Sequence, residues 1–376
     1  MSAMASNGKG GASRETFVLP KPFALECGAT LPGLRIAYET WGSLNAVGDN
    51  AVLVVHALTG DAHAASGGSS GDTRHGWWEG LIGNGKALDP GKRFIVCANL
   101  VGGCYGTTGP SEPHPSTGRP YGPDFPVVTT RDMARAQKLL LDHLGVRTLA
   151  MILGGSLGAM VTWEFIIEYP GFARAAVPLA GGTSTSPWAI AFDAVACQAI
   201  LGDPGWEGGR YLGRGPVNGL SLARQLAMTT YRTDRLFQDR FGRDREDADR
   251  ARSLDPDNLF QVESYLKHQG EKLVDRFDAR TYLALTAAMD LHDVARGRGR
   301  LEEAMSAIDA KILCVGIDTD ALFPAREMRE AADLLLEMGK DAAYAEIASP
   351  FGHDAFLVEY DQLGPLLAGF LERAAP

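Results

Sequence analysis

A chain of 376 residues, 45% hydrophobic and 22% charged, can bury a large core and is too long for one minimal domain, so one elaborated domain or two are expected. Its formal net charge of −10 argues against a nucleic-acid or anionic-membrane surface, because both need a concentrated basic face, and an anionic ligand would require a local basic pocket. Glycine is abundant, at 45 residues, but shows no triplet period, which excludes collagen, and no apolar run reaches the length of about 18 residues that a membrane-spanning helix needs.

Residues 1–15 are small and polar, lack an apolar stretch, and read as a disordered tail rather than a secretory signal. Short apolar, β-branched runs then recur before turn residues at 34–39, 51–56, 94–100, 148–153 and 173–179. Each is predicted as a strand. Helical spacing separates several of them: Met133, Ala136, Leu140 and Leu144 repeat within 131–144, and an amphipathic helix is expected over 158–169. This alternation specifies an α/β fold, a doubly wound, mostly parallel sheet covered on both faces.

From residue 187 to about 300 the chain is helical and charged with no convincing strand, and 186–299 is read as an inserted helical lid. The charge run at 239–252 within it reads as a solvated face. Alternation resumes with a strand at 312–317, a helix near 324–338, a strand in AYAEIA and a last helix from about 354. The core is therefore expected over 16–185 and 300–376. The five cysteines, at 27, 97, 104, 197 and 314, form no C-x-x-C pair. That pattern suits a reducing cytoplasm better than a disulfide scaffold or a zinc site.

The chemistry is concentrated in TLAMILGGSLGAMVTWEFII, residues 148–167. An apolar strand runs into Gly154-Gly155-Ser156-Leu157-Gly158 and then a helix, the setting of a G-x-S-x-G nucleophile elbow. Small neighbours are needed because the serine sits on a sharp turn, where a side chain at Gly154 or Gly158 would meet the backbone crossing it. A serine hydroxyl needs a base, and the base needs a carboxylate to orient it. With an elbow of this kind the order along the chain is serine, acid, histidine. After the insertion the strand ILCVGI leads to Asp318-Thr319-Asp320, and the next strand leads to Ser349-Pro350-Phe351-Gly352-His353. Both groups arrive at the carboxyl ends of strands, where such sheets place their sites. His353 is the candidate base; the acid is Asp320 or Asp318, with Asp320, further past the strand, preferred. The other histidines show no metal-ligand spacing, so no metal is assigned.

Acyl transfer also needs two backbone N–H groups aimed at the developing oxyanion. One should belong to Leu157, next to the nucleophile, and the other to Leu58 in the loop His56-Ala57-Leu58-Thr59-Gly60 that follows the strand AVLVV. His56 reads as a residue that shapes this loop.

Several separated segments together resemble the homoserine O-acyltransferase family of the α/β-hydrolase fold, in particular its homoserine O-acetyltransferase branch: YETWG (38–42), HALTGDAH (56–63), GGSLGAM (154–160), SPWAIAFDAVACQAI (186–200), TDALFP (319–324) and GHDAFL (352–357). The resemblance implies a ping-pong reaction in which Ser156 takes the acyl group of an acyl-CoA and passes it to the hydroxyl of L-homoserine, opening methionine biosynthesis. It also puts the acid on Asp320, gives Arg224 and Tyr231 the role of holding the amino-acid substrate, with Asp354 as an anion for its ammonium group, and implies a homodimer through the lid helices. Acetyl-CoA would be a substrate, with no bound cofactor. One departure is Ala159, where many members have glycine. Acetyl or succinyl as the acyl group, and homoserine, serine or another alcohol as acceptor, stay open, and a hydrolase using the same three residues is the rival class.

Overall fold

The computed structural model describes residues 15–248 and 257–374. Ten strands are present among them: β1 (Glu15–Leu19), β2 (Phe23–Ala24), β3 (Thr30–Leu31), β4 (Leu34–Trp41), β5 (Ala51–Val55), β6 (Phe94–Ala98), β7 (Leu149–Gly155), β8 (Ala175–Leu179), β9 (Lys311–Ile317) and β10 (Ala342–Ile347). Eight of them make one sheet in the order β1-β4-β6-β5-β7-β8-β9-β10. β1, β4 and β6 pair antiparallel. From β6 onward every pair is parallel. The carboxyl ends of β5, β7, β9 and β10 therefore open on one edge of the sheet, and four loops meet there.

Both faces are covered, which is why β5, AVLVV, reads as an unbroken apolar run rather than an alternation. Ala51, Leu53 and Val55 enter one core with Met133 and Leu140 of α1 (Thr130–His143) and Trp163 of α2 (Leu157–Glu168). Val52 and Val54 enter the other, with Trp78, Leu81 and Leu88 of a long connection. Trp78 is fully buried and its indole N–H donates to the Phe356 carbonyl at 2.9 Å, so this loop is fastened to the segment that carries His353.

α2 differs from its sequence expectation. Residues 157–167 are buried on every side, not on one stripe. Its buried acid, Glu164, survives burial because Arg131 Nε and Arg298 Nη1 lie 3.1 and 2.8 Å from its carboxylate. A buried carboxylate left alone would be strongly destabilising.

Between β8 and β9 the described residues form α3 (Pro187–Leu201), α4 (Val217–Tyr231), α5 (Asp234–Phe241), α6 (Gln261–Val274), α7 (Ala279–Asp290) and α8 (Leu301–Ser306). α9 (Ala325–Glu337) connects β9 to β10. The last helix, α10 (Tyr360–Arg373), begins later than expected, because Gly352–Leu357 is a separate 3₁₀ turn. Residues 1–14 of the expected tail and 249–252 of the charge run lie outside the described residues, while Glu15 opens β1. No helix among the described residues is long and apolar enough to cross a membrane.

Candidate active site

Ser156 stands at the turn between β7 and α2 with φ 58° and ψ −122°. An L-residue rarely adopts such a backbone, and holding it there requires support. The Ser156 N–H donates to the Leu179 carbonyl at 2.9 Å, and its own carbonyl accepts from Ala159 at 2.8 Å. A Cβ on Gly154 would lie 2.7 Å from Gly158 backbone atoms and from the Val55 oxygen, and one on Gly158 would lie 2.3 Å from that same oxygen. Glycine is thus the residue both positions tolerate. Gly155 is similarly closed, by the Phe356 ring at 2.5 Å. Ala159 fits because its partner is bare: a Cβ on Gly181 would come within 2.8 Å of the Ala159 methyl.

His353 and Asp320 meet directly, with Nδ1 and Oδ2 2.6 Å apart and both side chains buried. The other Asp320 oxygen accepts the N–H groups of Leu322 and Phe323, each at 2.9 Å. Nδ1–H donation to the carboxylate leaves Nε2 as the basic nitrogen. Burial pulls the His353 pKa down, but the Asp320 charge and hydrogen bond, joined by Asp354, outweigh it and the net shift is upward. Asp318 is engaged elsewhere, accepting the Ser349 N–H at 2.9 Å.

Leu58, Ser156 and Tyr231 line a common cavity with Asp193 and Tyr282, of about 20 Å³. Such a volume holds no more than about one water molecule. The Leu157 N–H is the first of α2 and has no carbonyl one turn back to bind, so it is available to an anion. Leu58 rides on a loop shaped by His56, whose Nε2 accepts the Leu100 N–H at 3.1 Å while Nδ1 lies 2.8 Å from the Ala57 carbonyl. Both ring nitrogens of His56 are thereby committed to backbone.

The lid grips each of the loops that carry these groups. Arg276 donates to the Thr59 carbonyl at 2.7 Å, Trp188 to the Ala321 carbonyl at 2.7 Å, and Thr233 to the Pro350 carbonyl at 2.5 Å. Asp354 belongs to this set, since its carboxylate is paired with Arg232 at 2.9 Å. Arg224 places its guanidinium 5.5 Å from the centre of the Tyr231 ring, and that ring is 5.6 Å from His353.

The sequence reading missed Asp193, the one acidic residue in the α3 segment PWAIAFDAVACQAIL. That isolation was an available signal. Asp193 shares a hydrogen bond with Asp290 at the end of α7, and burial together with that neighbouring carboxylate raises its pKa. Among the described residues no cluster of three or more potential ligands could hold a metal ion.

The sheet, the strand–turn–helix serine and the family model for the alpha/beta hydrolase fold, which matches residues 50–360, define the chain as an enzyme of the α/β-hydrolase class. A homoserine O-acetyltransferase of Moorella thermoacetica is 50% identical over 353 residues, covering 94% of each chain. By that similarity the chain belongs to the homoserine O-acetyltransferase family. The crystal structure of a homoserine O-acetyltransferase from Bacillus anthracis superposes with a TM-score of 0.89 at 30% identity, over 96% of this chain and 98% of that one. An acetylester hydrolase from Corynebacterium glutamicum shares the architecture at TM-score 0.81 and 25% identity, over 96% of each chain.

Proposed function

We propose that this enzyme transfers an acetyl group from acetyl-CoA to the hydroxyl of L-homoserine, in two steps through an acyl-Ser156 intermediate. The observation that carries the reading is the His353–Asp320 pair at 2.6 Å, linked to the elbow of Ser156 by the Phe356 ring, which packs against both His353 and Gly155. In the first step Ser156 Oγ attacks the thioester carbonyl and His353 takes its proton. The tetrahedral oxyanion is met by the N–H groups of Leu157 and Leu58, then the carbon–sulfur bond breaks and the proton passes to the departing thiolate. In the second, the homoserine hydroxyl gives its proton to His353 and attacks the acyl-serine, and Ser156 recovers the proton as the ester leaves. Arg224 provides a forked donor for the carboxylate of homoserine. Asp354, near Tyr231 and His353, provides an anion for its ammonium group while remaining bridged to Arg232. The product would feed methionine biosynthesis in the cytoplasm, and the lid helices would form a homodimer.

A second reading, hydrolysis, is favoured by the likeness to the acetylester hydrolase. The difference lies in what reaches the acyl-serine, and a lid that brings Arg224, a forked carboxylate donor, to the Tyr231 ring bordering the site favours transfer. Intact-mass spectrometry of the protein mixed with acetyl-CoA or succinyl-CoA, without acceptor, tests the reading. A gain of one acetyl group on the tryptic peptide containing Ser156, discharged faster by homoserine than by water, is expected. A succinyl gain would change the donor, and discharge indifferent to homoserine would make the enzyme a hydrolase.

A further inference from the structure

Three cations converge on a pocket of about 260 Å³ lined by Arg224 of α4, Gln269, Lys272 and Leu273 of α6, and Arg276 just beyond α6. No carboxylate is among these lining residues, although the chain as a whole carries a net charge of −10. Two nearby acids are engaged, Asp275 with Arg214 and Asp278 with Arg280 at 3.1 Å, and Glu271, next to Lys272 in the chain, is exposed to solvent. Lys272 and Arg276 are exposed to solvent, so the pocket is an open mouth.

Arg224 and Arg276 relate the mouth to the chemistry. Arg224 lines it, and the Arg224 guanidinium lies 5.5 Å from the Tyr231 ring, which borders the cavity over Ser156. Arg276 also donates to the Tyr105 hydroxyl at 2.8 Å and to the Thr59 carbonyl, one residue past Leu58. Its guanidinium is therefore held at the rim, one face against the loop of the oxyanion donor and the remainder toward solvent.

A CoA thioester has its reactive carbonyl at the end of a thin pantetheine arm and its phosphates at the other end. The cavity of about 20 Å³ over Ser156 is far too small for the nucleotide portion, so the phosphates must stay outside. We propose that Lys272 and Arg276 hold the phosphates of the acyl-CoA donor at this mouth, while the arm passes Arg224 and Tyr231 to bring the thioester to Ser156. A lysine acts there as a compact point charge and an arginine as a fork, the two forms of phosphate recognition. The proposal rests on the reading that an acyl-CoA is the donor, and it leaves Arg224 to the acceptor.

The test compares acylation of Ser156 by acetyl-CoA with acylation by S-acetylpantetheine, which has the same reacting group and no phosphate. Lys272→Gln, a change at an exposed position, should lower kcat/KM for acetyl-CoA about fivefold and leave the phosphate-free donor unchanged. It should also flatten the salt dependence of the acetyl-CoA reaction. Arg276→Gln, which also releases the Thr59 carbonyl beside Leu58, should slow both donors but acetyl-CoA the more, with Arg276→Lys, which keeps the charge, closer to wild type. Equal losses on both donors, or no loss on either, would overturn the phosphate site while leaving the donor reading intact. A wild-type enzyme acylated by neither donor would overturn both.

Discussion

Asp320 holds His353 with one carboxylate oxygen, at 2.6 Å, and anchors its own loop with the other through the N–H groups of Leu322 and Phe323. Asp318, two residues earlier, spends its carboxylate on the Ser349 N–H instead. The two acids were indistinguishable by type in the sequence. Their geometry gives them different consequences. Asp320→Asn should lower kcat by several orders of magnitude, on the scale of about 10⁴ seen when a triad aspartate is neutralised, because an amide cannot stabilise the imidazolium. Asp318→Asn should cost far less and act through the stability of the 349–353 loop. Steady-state rates of the two variants decide it, and the reverse ranking would move the acid to Asp318.

Ser156→Ala should abolish the acyl-enzyme mass gain and reduce turnover by roughly 10⁶, the scale for removing a triad nucleophile. The fold should be retained, since alanine keeps the Cβ already accommodated at this position. A variant that still shows two-step kinetics with CoA release before acceptor binding would remove Ser156 from the mechanism.

Arg224→Ala separates the two half-reactions. Acylation by acetyl-CoA should be nearly intact, while deacylation by homoserine should lose a charge-assisted contact worth about 2–4 kcal/mol, or roughly 30- to 1000-fold in kcat/KM. Single-turnover rates for each step are the measurement. A parallel fall in both would assign Arg224 to the donor or to the architecture of the lid.

The pH profile of acylation should report His353. The base works as neutral imidazole, and its pKa is raised above the ordinary value of about 6.5, so the acid limb of kcat/KM should have its midpoint above pH 6.5. Asp354→Asn removes one of the charges responsible and should move that midpoint to lower pH. A wild-type midpoint at or below 6.5 would contradict the electrostatics of the site.

His292 should govern acid stability. It is fully buried, with Nδ1 2.9 Å from Thr130 Oγ1 and Nε2 3.2 Å from the Gly182 carbonyl, and burial, then the nearby arginines, hold its pKa down to about 3. The unfolded chain takes up a proton below about pH 6.5 and the folded chain does not until about pH 3. Stability present above pH 6.5 is therefore lost as pH falls through this window, by on the order of a few kcal/mol. Urea melts of wild type and His292→Gln at pH 7 and pH 4 should show a smaller pH dependence in the variant.

The sheet was legible where burial on both faces makes a strand continuously apolar, as in AVLVV and KILCVGI. β1, ETFVL at the antiparallel edge, carries a weaker pattern, since Phe17 is its one buried residue. The elbow was legible because its turn forbids side chains at two positions, and the meeting of Asp320 with His353 because strand ends precede both. The Asp193–Asp290 pair was not, for it joins helices nearly a hundred residues apart, and no local rule relates them. Arg232 escaped for the same reason: its meaning comes from Asp354, across the lid boundary. The all-round burial of α2 depends on Arg131 and Arg298 reaching Glu164 from distant segments.

The insertion of the lid between β8 and β9 also fixes the order in which a ribosome releases the parts. Ser156 and its elbow emerge first, then the helices that will roof them, then Asp320, and His353 after all of these. Segments synthesised early begin to fold early, so Ser156 can be enclosed before His353 exists. Under the proposed mechanism a nascent chain would therefore be unable to take up an acyl group until His353 has emerged, a delay that connectivity alone imposes.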